Sequence, residues 1–215
     1  MNNRDYKQFA PGEYYHVYNR GNNKAAIFRD AEDYKLFLRR LSEALYPDRT
    51  LERVNGAHLQ RNQRKPLPAN TFSLVAYCLM PNHFHFLLRQ NTDLAVSVLV
   101  SKVCGSYSKL FNKKYKRVGS LFQDQFKAVH VDDDTYLKWL STYIHQNPTA
   151  ARLAKRPEDY PYSSYKEYVS AAGENLCDKT IVLGQFKHLA DYKQFVSDGL
   201  EQIQTRQDLK TLLID

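Results

Sequence analysis

Cysteine is scarce in this chain, with three among 215 residues. The three are Cys78, Cys104 and Cys177, an odd number with no Cys-x-x-Cys spacing. That excludes a disulfide scaffold and a zinc knuckle, and it reads as reduced thiols in a cytoplasm. Long apolar runs are missing too. A long uncharged stretch, Thr71 to Leu88, is broken by Pro81, Asn82 and two histidines, so no membrane span is expected. The first residues, Met1-Asn2-Asn3-Arg4-Asp5, are polar and do not read as a signal peptide. There is no internal repeat and no low-complexity tract. Apolar residues at 43% and charged residues at 25% exclude disordered, collagen-like and coiled-coil classes.

What the chain does have is positive charge and aromatic rings. Lys and Arg number 31 against 23 Asp and Glu, a net charge of +8 with a pI near 9.3. Tyrosine accounts for 16 residues and phenylalanine for 11. Basic charge attracts phosphates, and rings offer faces on which unpaired bases stack, so nucleic acid leads as a partner class. Half-buried strand residues account for many tyrosines equally simply.

The pattern along the chain predicts a strand at Tyr14–Tyr18, between Pro11-Gly12 and Gly21. Asp30 stands as an N-cap with Asp33 three residues on, and Tyr34, Phe37, Leu38, Leu41 and Leu45 follow at helical spacing to about Pro47. Residues 47–70 form a long polar, basic connection containing Arg61, Arg64 and Lys65. Phe72 to Met80 and His83 to Arg89 read as a hairpin turning at Pro81-Asn82. Val96 to Leu110 gives a second amphipathic helix, running into Lys113-Lys114-Tyr115-Lys116-Arg117. A strand over Phe126–Val131 precedes Asp132-Asp133-Asp134, which opens a third helix stopping at Asn147-Pro148. The order β-α-β-β-α-β plus a helix is an α+β, ferredoxin-like split βαβ: an antiparallel sheet with helices on one face and one added helix. Residues 1–170 are expected to make one domain, and 171–215 a C-terminal helical extension packed on it.

Two constellations carry chemistry. His83 and His85, two apart on a strand, point to one face roughly 7 Å apart and can converge on a divalent ion. Phe84 and Phe86 point the other way, under the helices, so the pattern expects a wet histidine face. Two surface histidines in a hairpin are an equally plain reading of so short a motif. Tyr143 and Asn147, four apart on the third helix, share a face, but Tyr143 also continues the apolar stripe Tyr136, Trp139, Leu140. Gln146 competes with Asn147 for the same face.

Taken together, five ordered motifs resemble the single-tyrosine HUH transposases, and most closely their REP-associated branch. Tyr15-His16-Val17-Tyr18-Asn19-Arg20-Gly21-Asn22 is similar to the opening strand of that family. Tyr77 to Leu88, with His83-Phe84-His85 inside it, resembles the HUH hairpin. Gly119-Ser120-Leu121-Phe122-Gln123-Asp124-Gln125-Phe126-Lys127 resembles the segment before the last strand. Tyr143-Ile144-His145-Gln146-Asn147-Pro148 resembles the nucleophile helix, and Pro161-Tyr162-Ser163-Ser164-Tyr165 the motif after it. The likeness covers about residues 12–170. Gln125 stands where relatives often carry Arg, and Arg152 where they often carry Gly, so a DNA contact and the turn after the helix depart from the pattern.

The resemblance implies a metal-dependent DNA transposase that cuts and rejoins single-stranded hairpin DNA through a 5′-phosphotyrosine. It assigns Tyr143 as nucleophile and His83, His85 and Asn147 as ligands of Mg²⁺ or Mn²⁺. Candidate DNA contacts are Arg20, Arg61, Arg64, Lys65, Lys113, Lys114, Lys116, Arg117 and Lys127. The expected setting is a bacterial cytoplasm at the nucleoid, with DNA as partner, no membrane, and a monomer or homodimer. Two other readings stay open: a non-catalytic hairpin-binding protein, and a metallophosphodiesterase that uses water and recruits His16 or His130 as further ligands.

Overall fold

The computed structural model describes residues 8–47, 66–170 and 175–205. Arg61, Arg64 and Lys65 lie outside these described residues. A four-stranded antiparallel sheet is built from β1 (Tyr14–Arg20), β2 (Phe72–Met80), β3 (His83–Gln90) and β4 (Lys127–Val131), in the order β2-β3-β1-β4. The hairpin falls where the two-residue Pro81-Asn82 turn put it, and Met80 pairs with His83. The expected split βαβ fold is what forms.

Helix α1 (Ala31–Leu45) starts where Asp30 caps it. The Asp30 Oδ1 accepts from the Asp33 N–H at 3.0 Å, and Asp33 Oδ2 in return accepts from the Arg29 N–H at 2.9 Å, a reciprocal cap. Helix α2 (Val96–Lys114) lies beside it. Both cover one face of the sheet: Phe37 of α1 packs on Phe84 and Phe86, and Tyr107 of α2 packs on Phe37. Burying each of these rings stabilises the fold by roughly 1.5–3 kcal/mol.

Helix α3 (Asp134–Ala150) covers the opposite face. It does not stop at Asn147-Pro148 as its sequence suggested: it runs on to Ala150, and the Ala151 N–H closes on the Asn147 carbonyl at 3.0 Å although Pro148 has no N–H to give to the Ile144 carbonyl. Arg152 then adopts φ 58°, the left-handed conformation that glycine takes without strain, so this chain makes a glycine-type helix end with an arginine. Short helices α4 (Tyr165–Val169) and α5 (Thr180–Leu183) lead to α6 (Leu189–Thr205), which packs on the outer side of α3. The approach is close: a Cβ on Gly199 would meet Thr142 Cγ2 at 2.4 Å.

The free edge of β2 is sealed by the segment after α3. Leu79 N–H donates to the Tyr162 carbonyl, Ser164 N–H to the Tyr77 carbonyl, and Tyr77 N–H to Ser164 Oγ, each at 2.9 Å. The Pro161–Tyr165 motif thus has a structural duty, closing an edge that would otherwise offer unpaired backbone. No helix among the described residues is long and apolar enough to cross a membrane.

Candidate active site

The sheet decides first what can meet. In register, Tyr18 of β1 lies opposite His85 of β3, so His16 and Tyr18 share a face with His83 and His85. That face is not wet. Helix α3 carries Leu137, Leu140, Tyr143 and Ile144, all buried, and with α1 and α2 occupying the phenylalanine face only the histidine face remains to receive them. His85 and Tyr143 have no exposed surface, and His83 and Asn147 are 3% and 6% exposed.

Tyr143 stands edge-on to His85, with ring centroids 5.5 Å apart, and stacks on Trp139 at 5.7 Å. Asn147, one turn on, puts Nδ2 at 3.5 Å from His85 Nε2. Gln146 faces elsewhere: its Nε2 donates to the Val196 carbonyl of α6 at 2.7 Å. The choice left open between Gln146 and Asn147 is therefore made by the side of α3 each occupies, which i+3 and i+4 spacing alone do not separate. His83 and His85 stand at right angles with centroids 5.0 Å apart. So three of the four residues named from the motifs, His83, Tyr143 and Asn147, each stand beside the fourth, His85.

Both imidazoles are held from the side. His83 Nδ1 pairs with Asn82 Oδ1 at 2.6 Å, and His85 Nδ1 pairs with His16 Nε2 at 2.9 Å. Burial pushes the His85 pKa well below its ordinary value, with His83 and His16 adding to the effect, and burial brings His16 down to about 3. Neutral imidazole is the form that ligates a metal. Among the described residues no three His, Cys, Asp or Glu side chains gather as a metal cluster. The Asn147 amide is the group beside His85 that could serve as a third protein ligand. Two imidazoles and an amide oxygen, presented by a half-turn of the amide, suit Mn²⁺ and Mg²⁺. His130 is engaged elsewhere, by Glu13 Oε2 at 2.6 Å.

The basic residues divide by circumstance. Lys113, Lys116 and Lys127 are exposed. Arg20 Nε donates to Gln123 Oε1 at 2.5 Å, and Arg117 donates to Asn112 Oδ1 at 3.0 Å. Lys114 bridges Asp30 and the buried Asp33 at 2.8 and 2.7 Å, tying the end of α2 to the start of α1. The same ammonium, through its hydrogen bond, holds the Asp30 carboxyl down at about 2. Charge in a run thus says little about which cations remain available to a phosphate.

Sequence reasoning gave His16 only an optional place as a ligand. Its alternation on β1 with Tyr14 and Tyr18 was the available signal, and the pairing with His85 required the register.

Comparison with known proteins agrees with the motifs. Residues 49–147 match the family model described as transposase IS200 like. A putative REP-associated tyrosine transposase of Haemophilus influenzae is 29% identical over 112 residues, covering 46% of this chain and 62% of the relative, so the chain spans less than two thirds of that protein's length. A REP-associated tyrosine transposase solved bound to a REP hairpin superposes with a TM-score of 0.54 at 14% identity, over 80% of this chain and 92% of that one. A putative transposase from Deinococcus radiodurans gives 0.38 at 17% identity, over 67% and 95%. The first of these structures speaks for the fold. By ordered motifs, family model and architecture, the chain is similar to the IS200-like, REP-associated tyrosine transposases.

Proposed function

We propose that this protein is a single-tyrosine DNA transposase, a nuclease and strand transferase acting on single-stranded hairpin DNA with a divalent ion. The observation that carries the reading is the meeting of Tyr143 and Asn147 of α3 with His85 of β3. The curated relative and the hairpin-bound neighbour point to the same class of chemistry and substrate.

His83, His85 and Asn147 would hold Mg²⁺ or Mn²⁺, which when bound neutralises phosphate charge and orients the phosphorus for attack. Tyr143 supplies the nucleophile. Its oxygen bonds to phosphorus, the bond from phosphorus to the 3′ oxygen breaks, and the phenol proton ends on the departing 3′ oxygen through solvent. The products are a 5′-phosphotyrosyl strand and a free 3′-OH. The new link is a phosphodiester equivalent to the old one, so a later 3′-OH attack rejoins strands without ATP. Because Tyr143 is fully packed, the interface between α3 and the sheet has to open before DNA reaches it. Lys113, Lys116 and Lys127 are the exposed cations that would attract the strand. Cytoplasmic location and a monomer or homodimer complete the proposal, with residues 171–215 as an extension of the 1–170 domain.

The test uses 3′-labelled single-stranded hairpin DNA, the full chain and Mn²⁺, resolved on a denaturing gel. A labelled protein adduct is expected, and it is expected to vanish in Tyr143→Phe. Repeated cleavage with no adduct would favour the water-using phosphodiesterase, and salt-sensitive binding without cleavage would favour the hairpin-binding protein.

A further inference from the structure

We infer that His16 is a positioning residue: by accepting the Nδ1–H of His85 it fixes the tautomer of that ring and turns the lone pair of Nε2 toward the metal position. The inference rests on the proposed role of His85 as a ligand.

The two rings lie side by side on neighbouring strands, with centroids 5.2 Å apart and planes 18° from parallel, and His16 Nε2 is 2.9 Å from His85 Nδ1. Both are wholly buried. Two neutral imidazoles joined by one hydrogen bond admit two proton arrangements. If His16 donates, His85 must carry its proton on Nε2. That N–H would then face the Asn147 Nδ2, itself a donor, at 3.5 Å, and no lone pair would remain for a cation. If His85 donates, its Nε2 lone pair accepts from Asn147 Nδ2 in the metal-free protein and is available to an ion once the amide turns. With Nδ2 of Asn147 toward His85, the second arrangement is the one that avoids two donors facing each other, and it is the one that leaves a lone pair for an ion.

That arrangement has a cost on His16. Its proton must sit on Nδ1, and this buried atom has no hydrogen-bond partner among the described residues. A ring present only to fill space would be phenylalanine or leucine, with no such loss. A buried polar atom left unsatisfied calls for a reason, and holding a metal-ligating histidine through its second nitrogen is a common one. Usually a carboxylate or a carbonyl does this. Here a neutral histidine does, adding no negative charge beside a site that must accept a phosphate.

The test has two arms on the full chain. Ring ¹⁵N spectra of the metal-free protein, with His16 and His85 assigned by substitution, are expected to show both as Nδ1–H tautomers. His85 found as Nε2–H overturns the inference. Mn²⁺ titration by calorimetry, without DNA, is expected to show a fall of roughly 10–100-fold in affinity for His16→Phe and recovery of most of it in His16→Gln, whose amide oxygen can accept the same hydrogen bond. A folded His16→Phe protein with unchanged affinity also overturns it. If His16→Phe does not fold, the tautomer arm decides. If the unaltered protein binds no Mn²⁺, the metal reading of the site fails, and the ring spectra still report whether His16 accepts from His85.

Discussion

Helix α3 separates two buried histidine networks that differ in one respect. On its outer side His145 is satisfied at both nitrogens, with Nδ1 at 2.7 Å from the Tyr192 hydroxyl and Nε2 at 2.8 Å from Ser164 Oγ. Ser164 in turn receives the Tyr77 N–H, so one imidazole ties α3 to α6 and to the edge of the sheet. On the inner side His16 and His85 share one hydrogen bond, and His16 Nδ1 is left without a partner. Each open hydrogen bond costs about 1–3 kcal/mol, and His145 avoids that cost although Thr142 Oγ1 and Gln146 Oε1, on the same side of α3, do not. The inner network leaves one open, beside the residues the motifs single out. Burial alone therefore does not separate these histidines, and what differs between them is how far each ring is hydrogen-bonded.

The sharpest way to break this comparison is a paired substitution. Tyr143→Phe, on the inner side, is expected to cut adduct formation by about three orders of magnitude or more while shifting stability by less than about 1 kcal/mol, since the ring and its packing stay. His145→Ala, on the outer side, is expected to cost about 2–4 kcal/mol by chemical denaturation, through a cavity and two lost hydrogen bonds, with cleavage per folded molecule retained. Equal losses of activity in both variants would erase the distinction.

A smaller effect comes from pH. Burial lowers the His145 pKa to about 3 from 6.5, so between those values the unfolded chain binds a proton that the folded one does not. Stability should fall as pH drops below about 6.5, with a slope approaching 1.4 kcal/mol per pH unit from this group and levelling near pH 3. His145→Gln should flatten that share of the slope in denaturation curves measured from pH 7 to 4; an unchanged slope would show that the group titrates normally. Smaller again, Lys127→Ala should weaken single-stranded DNA binding and reduce the slope of log affinity against log salt by about 0.7, if this cation meets one phosphate. Last, Arg152→Gly should raise stability by about 0.5–1 kcal/mol, removing a left-handed arginine at the end of α3. A loss on that substitution would mean the Arg152 side chain stabilises the turn more than its backbone strains it.

Much of the fold was legible because its signals are local. The Asp30 cap, the Pro81-Asn82 turn and the period-two strands were each visible within a few residues, and β2 begins and ends where its apolar run does. The end of α3 was misplaced because an X-Pro pair disfavours the helical conformation without forbidding it, and here the helix continues through Pro148 to Ala150. The solvated histidine face was misread for a different reason. Alternation shows that a strand has two faces, but which face remains open depends on what other elements need to bury.

The sequence by itself determined the order of elements and the ordered motifs, with His83, His85, Tyr143 and Asn147 inside them, that carry the family likeness, because motifs are written residue by residue. Only the tertiary structure decided that Asn147 rather than Gln146 faces His85, that Lys114 is committed to Asp30 and Asp33, and that His16 pairs with His85. Those outcomes depend on strand register and on the rotation of α3 over the sheet. Both are set by apolar burial summed across the whole domain, and no short window of residues contains that sum.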